Sequence, residues 1–392
     1  MAAAEAIKAG DEGGKKGLVL LGGLAVGVIG SIGAFGLPVI PMSAFGVAFI
    51  GNIWALTMFG VGLLLRGYSS TVLPWLTPGG DLMKAYIPHG VMVGAGLVAL
   101  IQVVMLMMKR DSAITGTRTP AAEVRRTIAG GTGAYMAIAV VIALLGGLFT
   151  EMSLGMLILF IIYAAFAALI HELIVGLAAM HAGWFPAFAV ALITLVIGML
   201  IGFPAPALCL MVGFSAATGP AFADMGYDLK AGYMLRGYGT DPEFEREGRK
   251  QQMFAAMFAF VVAGVVVLLS YKGYFAANKV APVDRVYVAT IKAGASWEVA
   301  KQLLIWAIPG AIVQFLGGPQ RQLGVLLATG LLLLNPIAGW AVLVGVVLRI
   351  VWTRMTAGQK QSEMEVFAAG VIAGDALYSF YDTTSRTFMP KK

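Results

Sequence analysis

The stretch SLGMLILFIIYAAFAALIHELIVGLAAM, residues 153–180, sets His171 and Glu172 side by side in an otherwise largely apolar run. A hydrocarbon core about 30 Å thick is crossed by roughly 20 apolar residues in a helix, so the stretch reads as a membrane span with a polar pair inside it. Outward in both directions the pattern repeats between short polar breaks. Spans are expected at 17–37, 44–65, 88–108, 128–149, 153–175, 185–202, 204–217, 252–272, 303–317, 323–352 and 364–381.

The 392 residues are 59% hydrophobic and 12% charged, about half the charged share of an ordinary soluble protein, roughly 25%. No water-soluble interior is large enough to hide such a composition. The expectation is an all-α polytopic membrane protein of about ten or eleven transmembrane segments, some broken or re-entrant. Its parts are a polar N-terminal segment (1–16), a transmembrane domain (17–381) and a polar C-terminal tail (382–392). Lys8, Lys15 and Lys16 precede an apolar run, 17–40, that is longer than a signal-peptide core of roughly 7–15 residues, so it reads as a retained first helix.

The net charge of +7 sits in loops between apolar runs, where membrane topology rather than a nucleic-acid partner accounts for it. The loops 109–127 and 224–251 hold most of the Lys and Arg and are expected on the cytoplasmic side. The loop 275–302, with Lys279, Arg285, Lys292 and Lys301, then falls outside, against the same rule. A multi-pass protein of a cell membrane, prokaryotic inner or plasma, follows.

Proline and glycine mark irregular places. Pro204 and Pro206 open the short segment 204–217, and Asn335, Pro336 and Gly339 interrupt 323–352. Proline removes a helical hydrogen bond, and in lipid the freed groups need protein or water, so broken helices belong beside a cavity. The segment 69–80, SSTVLPWLTPGG, is too short to cross and reads equally as re-entrant or as an ordinary loop.

An ionisable group inside hydrocarbon costs at least about 2.5–3.5 kcal/mol on insertion scales and is a functional candidate on that ground. His171, Glu172 and Asp375 qualify, with Glu151, Asp224 and Asp228 nearer segment ends. His171-Glu172 followed by His181 resembles part of a zinc-protease pattern, but Val175 and Ala178 stand where its second histidine and glycine belong. Hydrogen bonding between helices is the plainer reading of this pair. Cys209 is the single cysteine, so an intrachain disulfide is excluded and a cysteine-ligated metal cluster is not expected. No metal site, cofactor or catalytic residue is assigned, and no GxxxxGK[ST] loop is present.

The stretch 216–236, AATGPAFADMGYDLKAGYMLR, sets Asp224 and Asp228 four apart, hence on one helix face, followed by Lys230, Gly232 and Tyr233. A solvated helix explains this as readily as a pathway lined by both carboxylates with Lys230 balancing them. Here the sequence resembles the oligopeptide transporter family, including its yellow stripe-like branch, through D-x-x-x-D-L-K-x-G-Y (Asp224, Asp228, Leu229, Lys230, Gly232, Tyr233). Three further stretches are similar in the same order: 86–100, 171–187 and 368–377. The resemblance runs from about residue 86 onward and falls mainly on the family's C-terminal portion, the chain being shorter than the family's members.

The resemblance implies secondary transport of small peptides or metal chelates, coupled to protons or another cation, rather than enzymatic activity. Glu172, Asp224, Asp228 and Asp375 are the candidate cation carriers, Tyr233 and His171 candidate substrate contacts, and Lys230 a companion charge. Expected partners are the lipid bilayer, the solute, a coupling cation, and either a second copy or a second chain supplying the missing half, with no nucleic acid. The alternative is a non-transporting membrane subunit of a larger complex.

Overall fold

The computed structural model describes residues 2–33, 39–76, 81–109, 121–182, 186–276, 278 and 280–388. Outside them lie the end of the first expected span, Thr77 to Gly80 of the 69–80 segment, Arg110 and Arg118 of the first basic loop, Gly183 to Phe185, Lys279 and the last four residues. No strand occurs among the described residues.

In chain order the helices are α1 (Ala2–Glu12), α2 (Gly14–Ile32), α3 (Met42–Ile50), α4 (Ile53–Gly67), α5 (Ser69–Val72), α6 (Ile87–Lys109), α7 (Ala121–Leu145), α8 (Leu148–Glu151) and α9 (Leu154–Ala182). There follow α10 (Ala187–Ile201), α11 (Ala205–Leu235), α12 (Pro242–Ala276), α13 (Pro282–Ala295), α14 (Trp297–Arg321), α15 (Leu323–Leu332), α16 (Pro336–Met355) and α17 (Gln361–Phe388). Among the described residues, eight helices are long and apolar enough to cross a membrane, and α4, α10 and α15 are shorter apolar helices.

Two compact units emerge. The first comprises Met1–Lys84, Tyr227–Val280 and Arg321–Lys392; the second comprises Ala85–Gly226 and Ala281–Gln320.

In the first unit α2 and α17 run in the same direction along a seam of glycines. A Cβ on Gly23 would lie 2.2 Å from Phe367 O, one on Gly27 2.2 Å from Val371 O, and one on Gly374 2.2 Å from Leu24 O. Small residues let membrane helices approach this closely where lipid supplies no hydrophobic drive. α3 runs the opposite way along α17, with Ser43 at Asp375 and Gly46 against Ala368 and Ile372. Its 9 residues rise about 13 Å, under half of a roughly 30 Å core.

The expected single span 44–65 is therefore two helices, and the sequence shows why. Gly51 ends α3 in an extended conformation and Asn52 caps α4, its Oδ1 accepting from Trp54 N at 3.0 Å and Ala55 N at 3.2 Å. Arg349 of α16 closes the other side of this tip, donating to Ala48 O at 3.2 Å and Gly51 O at 2.5 Å. A cation at carbonyls freed by a helix C-terminus is favourable both as donor and against the helix dipole. The break expected within 323–352 falls at 333–335: Asn335 caps α16 through Ala338 N at 3.0 Å, with Pro336 in the first turn.

The second unit packs α6 and α14 side by side in the same direction. Gly94 meets Ala307 O and Gly310 meets Val91 O, each at a distance only glycine permits. Further along, Gln314 Nε2 donates to Gln102 Oε1 at 2.9 Å, a neutral amide pair that satisfies polar groups a bilayer could not. Another core gathers Phe160, Leu195, Phe203 and Met211, with Phe160 edge-on to Phe203 at 5.6 Å.

Two expectations need correction. The short segment 204–217 is the first part of the 31-residue α11, because Pro206 falls in its opening turn, where a missing N–H costs nothing; Pro220 is accommodated inside it. The stretch 275–302 is not merely a loop. It contains α13, whose polar positions conceal an amphipathic helix started by Pro282.

Candidate functional site

Asp375 is buried on α17, and its partners come from the other end of the chain. Oδ2 accepts from Ser43 N at 2.6 Å, within the first turn of α3, whose N-cap Pro41 offers no side-chain acceptor. Oδ1 lies 2.5 Å from Ser31 Oγ and 3.4 Å from Ser379 Oγ. A carboxylate at a helix N-terminus meets both free N–H groups and the positive end of the dipole.

Ser31 gives this site a second property. Its Oγ also lies 2.8 Å from Gly27 O, and a hydroxyl has one hydrogen to give. With Asp375 ionised, Ser31 donates to the carboxylate. With Asp375 protonated, the carboxyl donates to Ser31 Oγ, and Ser31 turns to Gly27 O. Rotating one hydroxyl satisfies either form of the carboxyl, so neither leaves a buried group without a partner.

His171 and Glu172 diverge on α9. His171 is fully buried, its Nδ1 3.2 Å from Ser215 Oγ of α11, and among the described residues no hydrogen bond of normal geometry reaches Nε2. Its ring lies on Gly219: a Cβ there would be 2.7 Å from Cδ2 and 3.0 Å from Nε2. Gly219→Ala should therefore destabilise the protein by about 1–3 kcal/mol. Thermal unfolding should show that loss reduced in a His171→Ala background, the remainder coming from Val175 Cγ2, 3.0 Å from the same Cβ. Glu172 accepts a 2.5 Å hydrogen bond from Tyr135 Oη of α7, a short charge-assisted contact between spans. Among the described residues no group of three or more His, Cys, Asp or Glu is placed to hold a metal ion.

The motif on α11 is arranged differently. Asp224, Asp228, Lys230 and Tyr233 are exposed, and Lys230 makes no ion pair among the described residues. Gly232 leaves room for a clamp: Arg236 holds Glu245 at 2.7 and 3.0 Å and Gln252 at 2.9 Å, while Gln252 donates to Asp228 O at 2.8 Å. A Cβ on Gly232 would lie 2.2 Å from Gln252 Oε1. Tyr233 stacks edge-on with Tyr238 at 5.9 Å over the turn into α12. Arg236→Ala should lower stability by about 1–3 kcal/mol, the cost of leaving Glu245 without its main partner, and a double-mutant cycle with Glu245→Gln should show the two losses are not additive.

The carboxylates thus differ in setting, Asp375 and Glu172 being bonded between helices while Asp224 and Asp228 lie on the exposed side of α11. Sequence reading passed over Ser31, Ser43, Tyr135, Ser215 and the Gln102–Gln314 pair. Gln102 and Gln314 carried a usable signal, since a primary amide within an apolar run needs a partner as much as an ion does.

Broken helices, a half-length helix capped by a buried carboxylate and multiple apolar spans define an all-α polytopic membrane protein. The family model described as OPT oligopeptide transporter protein matches residues 24–383, and the chain belongs to that family, a family of transporters. The match begins well ahead of Tyr86 and takes in α3 and α4. No curated protein and no solved structure matches the chain.

Proposed function

We propose that this chain is a secondary active transporter moving small peptides or metal chelates, with proton binding at Asp375 coupled to movement. Family membership supports the transport class. The observation that carries the coupling is the buried carboxyl shared between Ser31 of α2 and the N-terminus of α3. Discontinuous helices whose termini meet charge inside the membrane are where secondary transporters bind substrates and ions. Protonation would remove a negative charge from the α3 terminus and weaken its hold on that half-helix.

The test is uptake by purified protein in liposomes under an imposed pH gradient, offering a peptide mixture and metal chelates separately. Accumulation that collapses with a protonophore is the expected result. Equilibration without accumulation would remove the coupling, and folded protein inert to both solute classes would favour the reading as a subunit of a larger complex. That second reading draws on α12, whose apolar window contains no buried residue.

A further inference from the structure

Two stretches of the chain carry one pattern: GVMVGAGL at 90–97 on α6 and GVIAGDAL at 370–377 on α17, 280 residues apart. At a spacing of 283 residues, Gly27 matches Gly310, Asn52 matches Asn335, Gly62 matches Gly345 and Arg66 matches Arg349. The contacts repeat with the residues. On the α2–α17 seam Gly27 lies against Val371 O and Gly374 against Leu24 O; on the α6–α14 seam Gly310 lies against Val91 O and Gly94 against Ala307 O, every partner at its matching place. Asn52 and Asn335 cap α4 and α16 through matching groups, Ala55 N and Ala338 N. Thus α2, α3, α4 and α6 form one copy of a four-helix motif, and α14, α15, α16 and α17 a second.

Within the first compact unit the copies meet across a two-fold relation. α4 and α16 run antiparallel, Gly67 lying against Pro336, and they cross where Gly60 lies against Leu343, its own counterpart. Gly62 faces Leu331 and Gly345 faces Ala48, one contact made in both directions. Antiparallel copies in a membrane are inverted repeats, and in transporters so built one copy moves against the other.

The matched arginines are not in matched states. Arg349 donates to Ala48 O and Gly51 O at the α3–α4 tip. The counterparts of those carbonyls are Leu331 O and Leu334 O at the α15–α16 tip, and among the described residues no hydrogen bond joins Arg66 to either. Arg66 lies instead 3.5 Å from Asp81, 15 residues further on, with its Nε buried and without a hydrogen-bond partner among the described residues. Arg349 has an acid of its own 16 residues further on, Glu365, which acts on it electrostatically without an ion pair between them.

We propose that Arg66 and Arg349 are paired positioning residues that grip the two helix-break tips in alternation. In the state opposite to this one, Arg66 leaves Asp81 for Leu331 O and Leu334 O, while Arg349 leaves Ala48 O and Gly51 O for Glu365. Either tip suits a guanidinium, since carbonyls freed at a helix C-terminus meet both its donors and its charge, and the orphaned Nε of Arg66 marks an arginine not fully satisfied where it stands. The counterpart of Asp375 is Ala95, so only the α3 side of the exchange answers to a proton. That coupling rests on the transport reading; the exchange between tips does not.

The test is hydrogen–deuterium exchange of the purified full chain in detergent, read on the peptides that carry Gly51 and Leu334. Asp81→Asn removes the acid that holds Arg66, and should speed exchange at the α3–α4 tip while slowing it at the α15–α16 tip. Each shift should be about fivefold or more, the lower end of typical coupling between sites. Arg349→Gln should give the same pair of shifts, and Arg66→Gln added to Asp81→Asn should cancel the slowing at the α15–α16 tip. An effect confined to the tip nearest each substitution makes the arginines local caps and overturns the proposal, as does an Asp81→Asn slowing that persists without Arg66. Uptake into liposomes is measured in parallel: reciprocal shifts in protein that moves no solute would leave the exchange standing and remove the transport reading, and uptake without reciprocal shifts would overturn the exchange alone.

Discussion

Gly27→Val is expected to leave little folded protein, while Gly22→Val, five residues earlier on the same helix, is expected to be silent. A Cβ at Gly27 would fall 2.2 Å from Val371 O, 3.0 Å from Val371 C and 3.1 Å from Asp375 N, all backbone atoms of α17 that cannot swing aside. At Gly22 nothing lies within 4 Å. Overpacking typically costs about 1–3 kcal/mol where side chains can adjust; here the helices must separate. The seam is reciprocal, since Gly370 and Gly374 of α17 approach Leu20 O and Leu24 O as closely, so displacement at one point loosens several contacts. In lipid, helices gain nothing by hiding apolar surface from each other, and the lost dispersion contacts have no hydrophobic replacement. The same displacement draws Ser31, one turn on, away from Asp375. Fluorescence-detected size exclusion in detergent would read the folded fraction of each variant, and equal folded fractions for the two would show that the seam is not what joins α2 to α17.

The class of fold was legible because spans of this length and composition have few alternatives, and the α15–α16 break because Asn335 and Pro336 announce it. The break between α3 and α4 was not read, although its signal was present. Gly51-Asn52 is an end-and-start pair set in the middle of a run of about 20 apolar residues, and hydropathy averages over it. α13 was hidden by the opposite error, since an amphipathic helix carrying Asp284, Arg285 and Lys292 has the composition of a loop. At the site, rarity exposed His171, Glu172 and Asp375, because a charge among apolar residues is visible without any structure. Their partners were invisible for a topological reason: Ser31 is 344 positions from Asp375, and nothing local in the sequence joins them. The α11 motif shows its spacing on one helix, while the packing around it was not legible: Gly232 lies against Gln252 and Arg236 of the clamp, and Tyr233 meets Tyr238 over the turn into α12.

Asp375→Asn is expected to abolish uptake driven by a pH gradient while preserving the fold and the exchange of solute between the two sides of a liposome. Asparagine keeps the shape of the protonated carboxyl. Its oxygen can accept from Ser43 N, and its amide can donate to Ser31 Oγ as the acid form would, leaving Ser31 free for Gly27 O. What it cannot do is release a proton, so a carrier fixed in its loaded state should still shuttle solute but gain nothing from the gradient. Asp375→Ala makes a different prediction, because it strips the acceptor from the start of α3 and leaves the half-buried Ser43 N–H without its partner. That should cost about 1–3 kcal/mol and appear as lower thermal stability before any transport is measured. The pair of variants separates a coupling role from a purely structural one. Gradient-driven accumulation that survives in Asp375→Asn would move the coupling proton to another group, with Glu172 the next carboxylate bonded between spans. Loss of exchange together with accumulation, in protein that remains folded, would instead make the charge of Asp375 part of the solute path itself.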